Sequence, residues 1–185
     1  MPITKLAVFD FDGTLFKSPE KPDWWPHQGF WGRLETLSPP YVPERPGSDW
    51  WAGNIVQEAK RACSDSQTYT VLMTGRIGKF EGRVRDLLDG VGLRFDDYFF
   101  AGGGSTLSFK TSTLMRLVER FPSLETVEMW DDRPEHASEF ESVLESLGLG
   151  VTVHRVPRVT RDFEKVAKVA SRFTAICQSL TRSRS

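Results

Sequence analysis

The chain has 185 residues, 39% hydrophobic and 26% charged, with 24 Lys and Arg against 25 Asp and Glu. That length is one domain's worth, enough for folding to bury roughly 70% of the unfolded chain's surface, and the composition excludes a disordered or fibrous chain. The near-zero net charge excludes a whole-molecule field aimed at nucleic acid or membrane. The longest apolar runs, such as Leu6 to Phe9, fall far short of the roughly 20 residues a membrane helix needs, and no basic stretch followed by an apolar one opens the sequence. An untethered intracellular protein, cytoplasmic or nuclear, is expected. Cys63 and Cys177 lie far apart without CxxC spacing; they read as two buried thiols, not as a disulfide framework or a zinc site.

Short apolar runs rich in Val, Phe, Tyr and Leu alternate with stretches of helical period, the pattern of βα units around a parallel sheet. The first strand is Lys5 to Phe9. Between Lys17 and Trp51 the rhythm breaks, with seven of the 11 prolines and five of the 6 tryptophans, a composition that suits neither a regular helix nor a central strand. This stretch reads as an ordered flap, with Trp24, Trp25 and Trp31 packing inward as its own small core or offered as stacking surfaces. A helix over Asn54 to Cys63 puts Ile55, Val56 and Ala59 on one face. Strand Thr68 to Met73, helix Glu81 to Leu88, strand Asp97 to Phe100 and helix Ser112 to Phe121 follow. Strand Val127 to Trp130, helix Glu135 to Leu147 and strand Val151 to Val153 complete the alternation. A last helix, Asp162 to Leu180, shows Phe163, Val166, Val169, Ala170, Phe173 and Ile176 at helical spacing, and the tail Thr181 to Ser185 is expected to fray. The expected fold is α/β: a three-layer, Rossmann-like arrangement of five parallel strands with helices on both faces, residues 1–185 forming a single domain.

Asp10 and Asp12 leave the C-terminal end of the first strand, the edge where open α/β sheets bind ligands. Residues i and i+2 of extended chain point the same way, which directs both carboxylates towards one cavity, and Gly13 permits a sharp turn behind them. Carboxylates so placed call for a hard cation such as Mg²⁺, which takes oxygen ligands and sits between carboxylates and a substrate phosphate. Asp131 and Asp132 follow another strand, and two adjacent like charges are costly without a cation. A capping role at the helix opened by Pro134 and Glu135 is the alternative for Asp132, so Asp131 is the better ligand.

Val8-Phe9-Asp10-Phe11-Asp12-Gly13-Thr14-Leu15 resembles the first motif of the haloacid dehalogenase-like phosphohydrolases. Their second motif, a strand ending in Thr or Ser, is matched by Tyr69 to Arg76 with Thr74 as the hydroxyl; the third, a Lys near a helix start, by Lys110; the fourth by Asp131 and Asp132. Lys79 competes with Lys110, but Lys110 alone lies between the third and fourth strands. The resemblance implies that Asp10 attacks phosphorus and becomes an aspartyl phosphate, while Asp12 protonates the leaving oxygen and then activates water. It implies Mg²⁺ held by Asp10, the Asp12 carbonyl and Asp131, with Asp132 in support. Thr74 and Lys110 would offset charge on the transferring group, and Gly13, Thr14, Gly75 and Arg76 would line the phosphate.

Caps that enclose small substrates in this superfamily enter after the first motif or between the second and third. Here the first place holds only the Pro- and Trp-rich flap, and the second is filled by a helix, a strand and the Gly102 to Gly104 turn, which without a following Gly-Lys-Ser is a weak phosphate-binding signal. The open site suggests a macromolecular substrate. Thr74-Gly75-Arg76 with Asp131-Asp132-Arg133 is similar to the phosphatase half of polynucleotide kinase-phosphatases. Together with the early Trp-Trp and Trp130 to His136, it looks like the phosphatase-like domain of Swiss Army knife RNA repair proteins. RNA or DNA ends are therefore the expected substrate, with an RNA ligase or kinase as a possible partner. Eight basic residues between Arg155 and Ser185 face only Asp162 and Glu164; a solvated helix face or a nucleic-acid contact surface explains them. His27 and His136 read as flap and helix polar groups. A phosphatase of nucleotides or small phosphometabolites, and a module that binds phosphorylated ends without turnover, are the competing functions.

Overall fold

Leu6, Ala7, Val8 and Phe9 leave β1 (Lys5–Phe9) no face suited to water, so the strand must be covered on both sides. The computed structural model describes residues 2–25, 29–162, 165, 166 and 168. In it β1 joins β2 (Thr68–Ile77), β3 (Asp97–Ala101), β4 (Thr126–Asp131) and β5 (Gly150–Arg155) in one five-stranded sheet. The order is β3-β2-β1-β4-β5 and every pairing is parallel, with Phe9 opposite Leu72 on one side and Trp130 on the other.

Alternation along the strands divides the core. Ala7, Phe9, Leu72 and Trp130 face a layer made by α1 (Gly53–Ser64), α2 (Glu81–Asp89) and the flap. Leu6, Val8, Val71, Met73, Val127 and Met129 face α3 (Thr106–Arg120) and α4 (Pro134–Ser146). Phe9 stacks on Trp130 with ring centroids 4.2 Å apart, and each such fully buried side chain contributes about 1.5–3 kcal/mol. The α/β fold with five parallel strands and helices on both faces is as expected from the sequence.

Several boundaries differ. β2 continues through Thr74 to Ile77, with a register shift against β3 between those two residues. α3 starts at Thr106 and not near Ser112, because Ser105 caps it: the Ser108 N–H donates to Ser105 Oγ at 3.3 Å. Lys110 thus lies inside the helix, not ahead of it. Cys63 is exposed, not buried: it shares the face of Ile55, Val56 and Ala59 but sits in the last turn of α1, where that face runs out past the core. The helix expected from Asp162 to Leu180, with Phe163, Val169, Ala170, Phe173, Ile176 and Cys177, lies outside the described residues beyond Asp162, Lys165, Val166 and Lys168, as do the tail and His27. No helix among the described residues is long and apolar enough to cross a membrane.

The described residues of 17–51 form three short 3-10 turns (Phe30–Gly32, Leu34–Leu37, Ser48–Trp50) and irregular chain. Their two ends are tied together, Lys17 N–H to the Trp50 carbonyl at 2.8 Å and Ala52 N–H to the Leu15 carbonyl at 2.9 Å. Trp50 and Trp51 pack on Phe16, at 5.7 and 4.9 Å between ring centroids. Of the three tryptophans expected inside, Trp24 is 62% and Trp31 36% exposed and Trp25 is half-buried; Phe30, Leu37 and Val42 fill the interior in their place. Arg83 of α2 fastens the segment, donating to the carbonyls of Leu37, Pro43 and Glu44 at 2.8, 2.8 and 3.0 Å.

Candidate active site

Parallel strands deliver the residues that follow them to one edge of the sheet. Asp10 comes directly after β1, its N–H held by the Trp130 carbonyl at 3.0 Å. Asp131 ends β4 with Asp132 next, and Thr74, Gly75 and Arg76 lie in the last part of β2. From α3, Lys110 Nζ donates to Asp10 Oδ1 at 2.7 Å and to Asp131 Oδ2 at 2.6 Å, all three side chains being buried. Burial pushes the Asp10 carboxyl up to about 7; Lys110 opposes this, and Asp131 and Asp132 reinforce it. Burial also disfavours the Lys110 ammonium, but Asp10 and Asp131 outweigh it and raise that group above its ordinary value. Thr14 Oγ1 lies 3.4 Å from Asp10 Oδ2, and Asp131 Oδ1 accepts the Arg133 main-chain N–H at 2.9 Å.

Asp10, Asp131 and Asp132 each present an oxygen, and these atoms lie within 4.8 Å of one another. Asp132 Oδ2 is 3.4 Å from Arg158 Nε, while its Oδ1 is buried without a hydrogen-bond partner. Burial raises the Asp132 carboxyl, with Arg158 opposing. An orphaned carboxylate oxygen in an all-oxygen cluster fits a hard divalent cation. Gly13 allows the close approach: its φ is +80°, and a Cβ there would stand 2.5 Å from Asp132 Oδ2.

Asp12 is held by a different partner. Arg76 Nε donates to both its oxygens at 3.1 and 3.0 Å and Nη2 to Oδ1 at 2.8 Å, and Ser18 Oγ donates to Oδ1 as well. Burial opposes this charge, but Arg76 outweighs it with help from Ser18, and the Asp12 carboxyl falls below its ordinary value. The same guanidinium reaches the flap: Nη1 donates to Thr36 Oγ1 at 2.6 Å and to the Trp31 carbonyl at 3.3 Å, and the Trp31 and Phe80 rings lie 5.0 and 4.8 Å from it. The Arg76 N–H donates to Thr74 Oγ1 at 3.1 Å. Gly75 passes close to the start of α3, where a Cβ would stand 3.0 Å from Thr106 Oγ1.

A cavity of about 110 Å³ opens here, lined by Asp10, Asp12 and Asp132, by Arg76, Arg133 and Arg158, and by Trp31, Gly75 and Thr106. Small-molecule pockets span roughly 300–1,000 Å³, so this one suits a phosphoryl-sized group with the rest of its bearer outside.

All the residues expected from the first, second and fourth motifs, and Lys110, come to this edge. Lys79 does not; it is exposed, its ammonium 5.8 Å from the Phe80 ring. Asp132 is not the helix cap, because Arg133 holds the N-cap position of α4 and Pro134 follows it. His136 is buried in α4, which lowers its pKa, and the Gly102 to Gly104 run is exposed. Ser18, Thr36 and Thr106 went unnoticed in the sequence: each is a common surface residue in a loop or helix start, and only the fold brings it near a motif. Arg158 was legible only as one of eight basic residues near the C-terminus. Among the described residues four of those are paired with acidic partners, Arg155 with Glu141, Arg158 with Asp132, Arg161 with Asp49 and Lys165 with Asp162, Arg161 also lying over Trp50 at 4.0 Å.

The parallel sheet with acidic residues at its strand ends is the fold of HAD domains. The HAD domain of the Legionella pneumophila effector Lem4 superposes with a TM-score of 0.55 at 14% identity, covering 90% of this chain and 93% of that one. A chain of the Pnkp1/Rnl/Hen1 RNA repair complex gives 0.55 at 15% identity, over 82% of this chain and 42% of its own length. Residues 16–175 match the family model of HAD domain family 1 in Swiss Army Knife RNA repair proteins, and the chain belongs to that family. The match starts after Asp10 to Thr14, so the first motif stands on its own sequence and geometry. The uncharacterized protein YMR265C of Saccharomyces cerevisiae is 25% identical over 180 residues, covering 80% of this chain; the chain spans 38% of that protein's length.

Proposed function

We propose that the chain is a Mg²⁺-dependent phosphomonoester hydrolase that works through an aspartyl phosphate and acts on nucleic-acid ends, RNA foremost. The observation that carries this reading is Asp10, buried against Lys110 at the floor of a phosphoryl-sized cavity and beside an acidic cluster with an orphaned oxygen. Mg²⁺ held by Asp10, the Asp12 carbonyl, Asp131 and Asp132 would neutralise charge on the phosphoryl group. Asp10 forms a bond to phosphorus as the bond to the leaving oxygen breaks, and Asp12 gives that oxygen a proton. Water then attacks the phosphoryl group, Asp12 takes its proton and the Asp10 carboxylate is released. Lys110 and Thr74 hold the phosphoryl oxygens. Asp12 is ionised while Arg76 grips it, so its acid role requires Arg76 to exchange that grip for a phosphoryl oxygen, which is how Arg76, with Gly13, Thr14 and Gly75, serves the substrate.

Membership of an RNA repair family and the likeness to a chain of an RNA repair complex support nucleic-acid ends and an RNA ligase or kinase partner. Residues 1–185 act on this reading as one domain, with 17–51 as a flap in place of a cap. The test is phosphate release, with Mg²⁺ and with EDTA, from 3′- and 5′-phosphorylated RNA and DNA, mononucleotides and p-nitrophenyl phosphate. Wild-type protein releases phosphate only with Mg²⁺ and fastest from one oligonucleotide end, and Asp10→Asn lowers the rate by about a thousandfold or more. An Asp10→Asn protein with wild-type rates would refute the mechanism, and turnover of small esters alone would refute the substrate class.

A further inference from the structure

The cavity is graded from a buried end to an exposed one. Of the side chains that line it, those of Asp10 and Asp132 are 8% and 2% exposed at its floor, whereas that of Arg158 is 46% exposed at its mouth. Among the described residues the Arg133 guanidinium, which also lines the cavity, has neither an ion pair nor a hydrogen bond. Trp31 stands at the same opening from the flap.

Arg158 is built into the fold and is not a wandering surface side chain. The strap after β5 is bonded to the motif loops: Val156 N–H to the Asp131 carbonyl at 3.0 Å, Val159 N–H to the Gly13 carbonyl at 3.0 Å and Arg161 N–H to the Ser18 carbonyl at 3.1 Å. Arg158 Cγ lies where a Cβ on Gly13 would meet it at 3.2 Å. Its main chain is therefore registered against the loop that carries Asp10 and Asp12. Four carboxylates, Asp10, Asp12, Asp131 and Asp132, would repel any second anion brought near the site. Two guanidinium groups at the mouth remove that repulsion and offer paired N–H donors suited to phosphate.

We infer that Trp31, Arg133 and Arg158 form a leaving-group subsite for a nucleoside carrying a second phosphate beyond the one hydrolysed. The two arginines hold that phosphate and the indole supplies a face for the base. The catalytic form of this inference rests on the phosphatase reading above; the binding form does not. The ligand chemistry, a nucleoside with two phosphates, is shared by an oligonucleotide end and a free nucleoside bisphosphate.

The test compares nucleoside 3′- and 5′-monophosphates, the 3′,5′-bisphosphate and dinucleotides phosphorylated at either end, by kcat/KM in Mg²⁺ and by calorimetric binding to D10N. A second phosphate improves both by about tenfold or more in the otherwise unaltered protein. In R158Q and in R133Q the ratio between two-phosphate and one-phosphate ligands collapses towards one, and R158K keeps part of it; thermal melts establish that each variant is folded. A larger gain for the dinucleotide marks an oligonucleotide end, and a larger gain for the bisphosphate marks a free nucleotide; either supports the subsite. No gain from the second phosphate in the protein with both arginines, or a ratio unchanged in both glutamine variants, overturns it. Absent turnover of every substrate with the binding preference intact would defeat the phosphatase reading and leave the subsite standing.

Discussion

Asp10 is buried beside two further carboxylates with one ammonium between them, so its charge decides what the centre can do. Without a cation its carboxyl is raised from 3.8 to about 7, which means that the folded chain binds a proton the unfolded chain has already lost. The stability this contributes is complete below pH 3.8 and is lost as the pH rises through about 7. Asp12 behaves oppositely: its lowered value gives stability that is present at neutral pH and lost on acidification. A divalent cation competes with the Asp10 proton, so Mg²⁺ raises Tm by a few degrees at pH 8 and by little at pH 5. Thermal unfolding at both values, with Mg²⁺ and with EDTA, checks this; equal Tm with and without Mg²⁺ at pH 8 would show that the acidic cluster holds no cation.

At the scale of elements, the flap and the strap after β5 are what distinguish this sheet edge from bare strand ends. The flap is fixed at its ends by Phe16, Trp50 and Trp51 and along its length by Arg83. It touches the site through Thr36 and Trp31, both bound to Arg76. Each Arg83 hydrogen bond is worth about 1 kcal/mol net, so Arg83→Ala raises the population of open flap by roughly tenfold to a hundredfold. Limited proteolysis within residues 17–51 accelerates accordingly, and turnover falls because Arg76 loses its flap contacts. Cleavage at the wild-type rate would mean that Arg83 does not fasten the flap.

Across the whole molecule, topology does the assembling: parallel strands in the order β3-β2-β1-β4-β5 place the ends of β1, β2 and β4 side by side. That is why the sequence was informative about Asp10, Thr74 and Asp131, each of which follows a readable apolar run. Lys110 was legible as a residue but not as helix, because the helix was expected from Ser112 and the Ser105 cap, directly after the Gly102 to Gly104 run, went unread. The Asp12–Arg76 pair spans 64 positions and the Arg158 strap lies far from every motif, so neither leaves a local pattern. Tryptophan content marked the flap as packed, yet which indoles face inward depends on Phe16 and Arg76, to which the flap's own sequence gives no guide. On the proposed mechanism Asp10 carries the phosphoryl group during turnover. Acid quenching during turnover with phosphorylated RNA in Mg²⁺, followed by peptide mass analysis, tests it most directly. A phosphoryl group is expected on the peptide containing Asp10, absent in EDTA and in Asp10→Asn; turnover that leaves that peptide unmodified, or a label on any other residue, would contradict the mechanism.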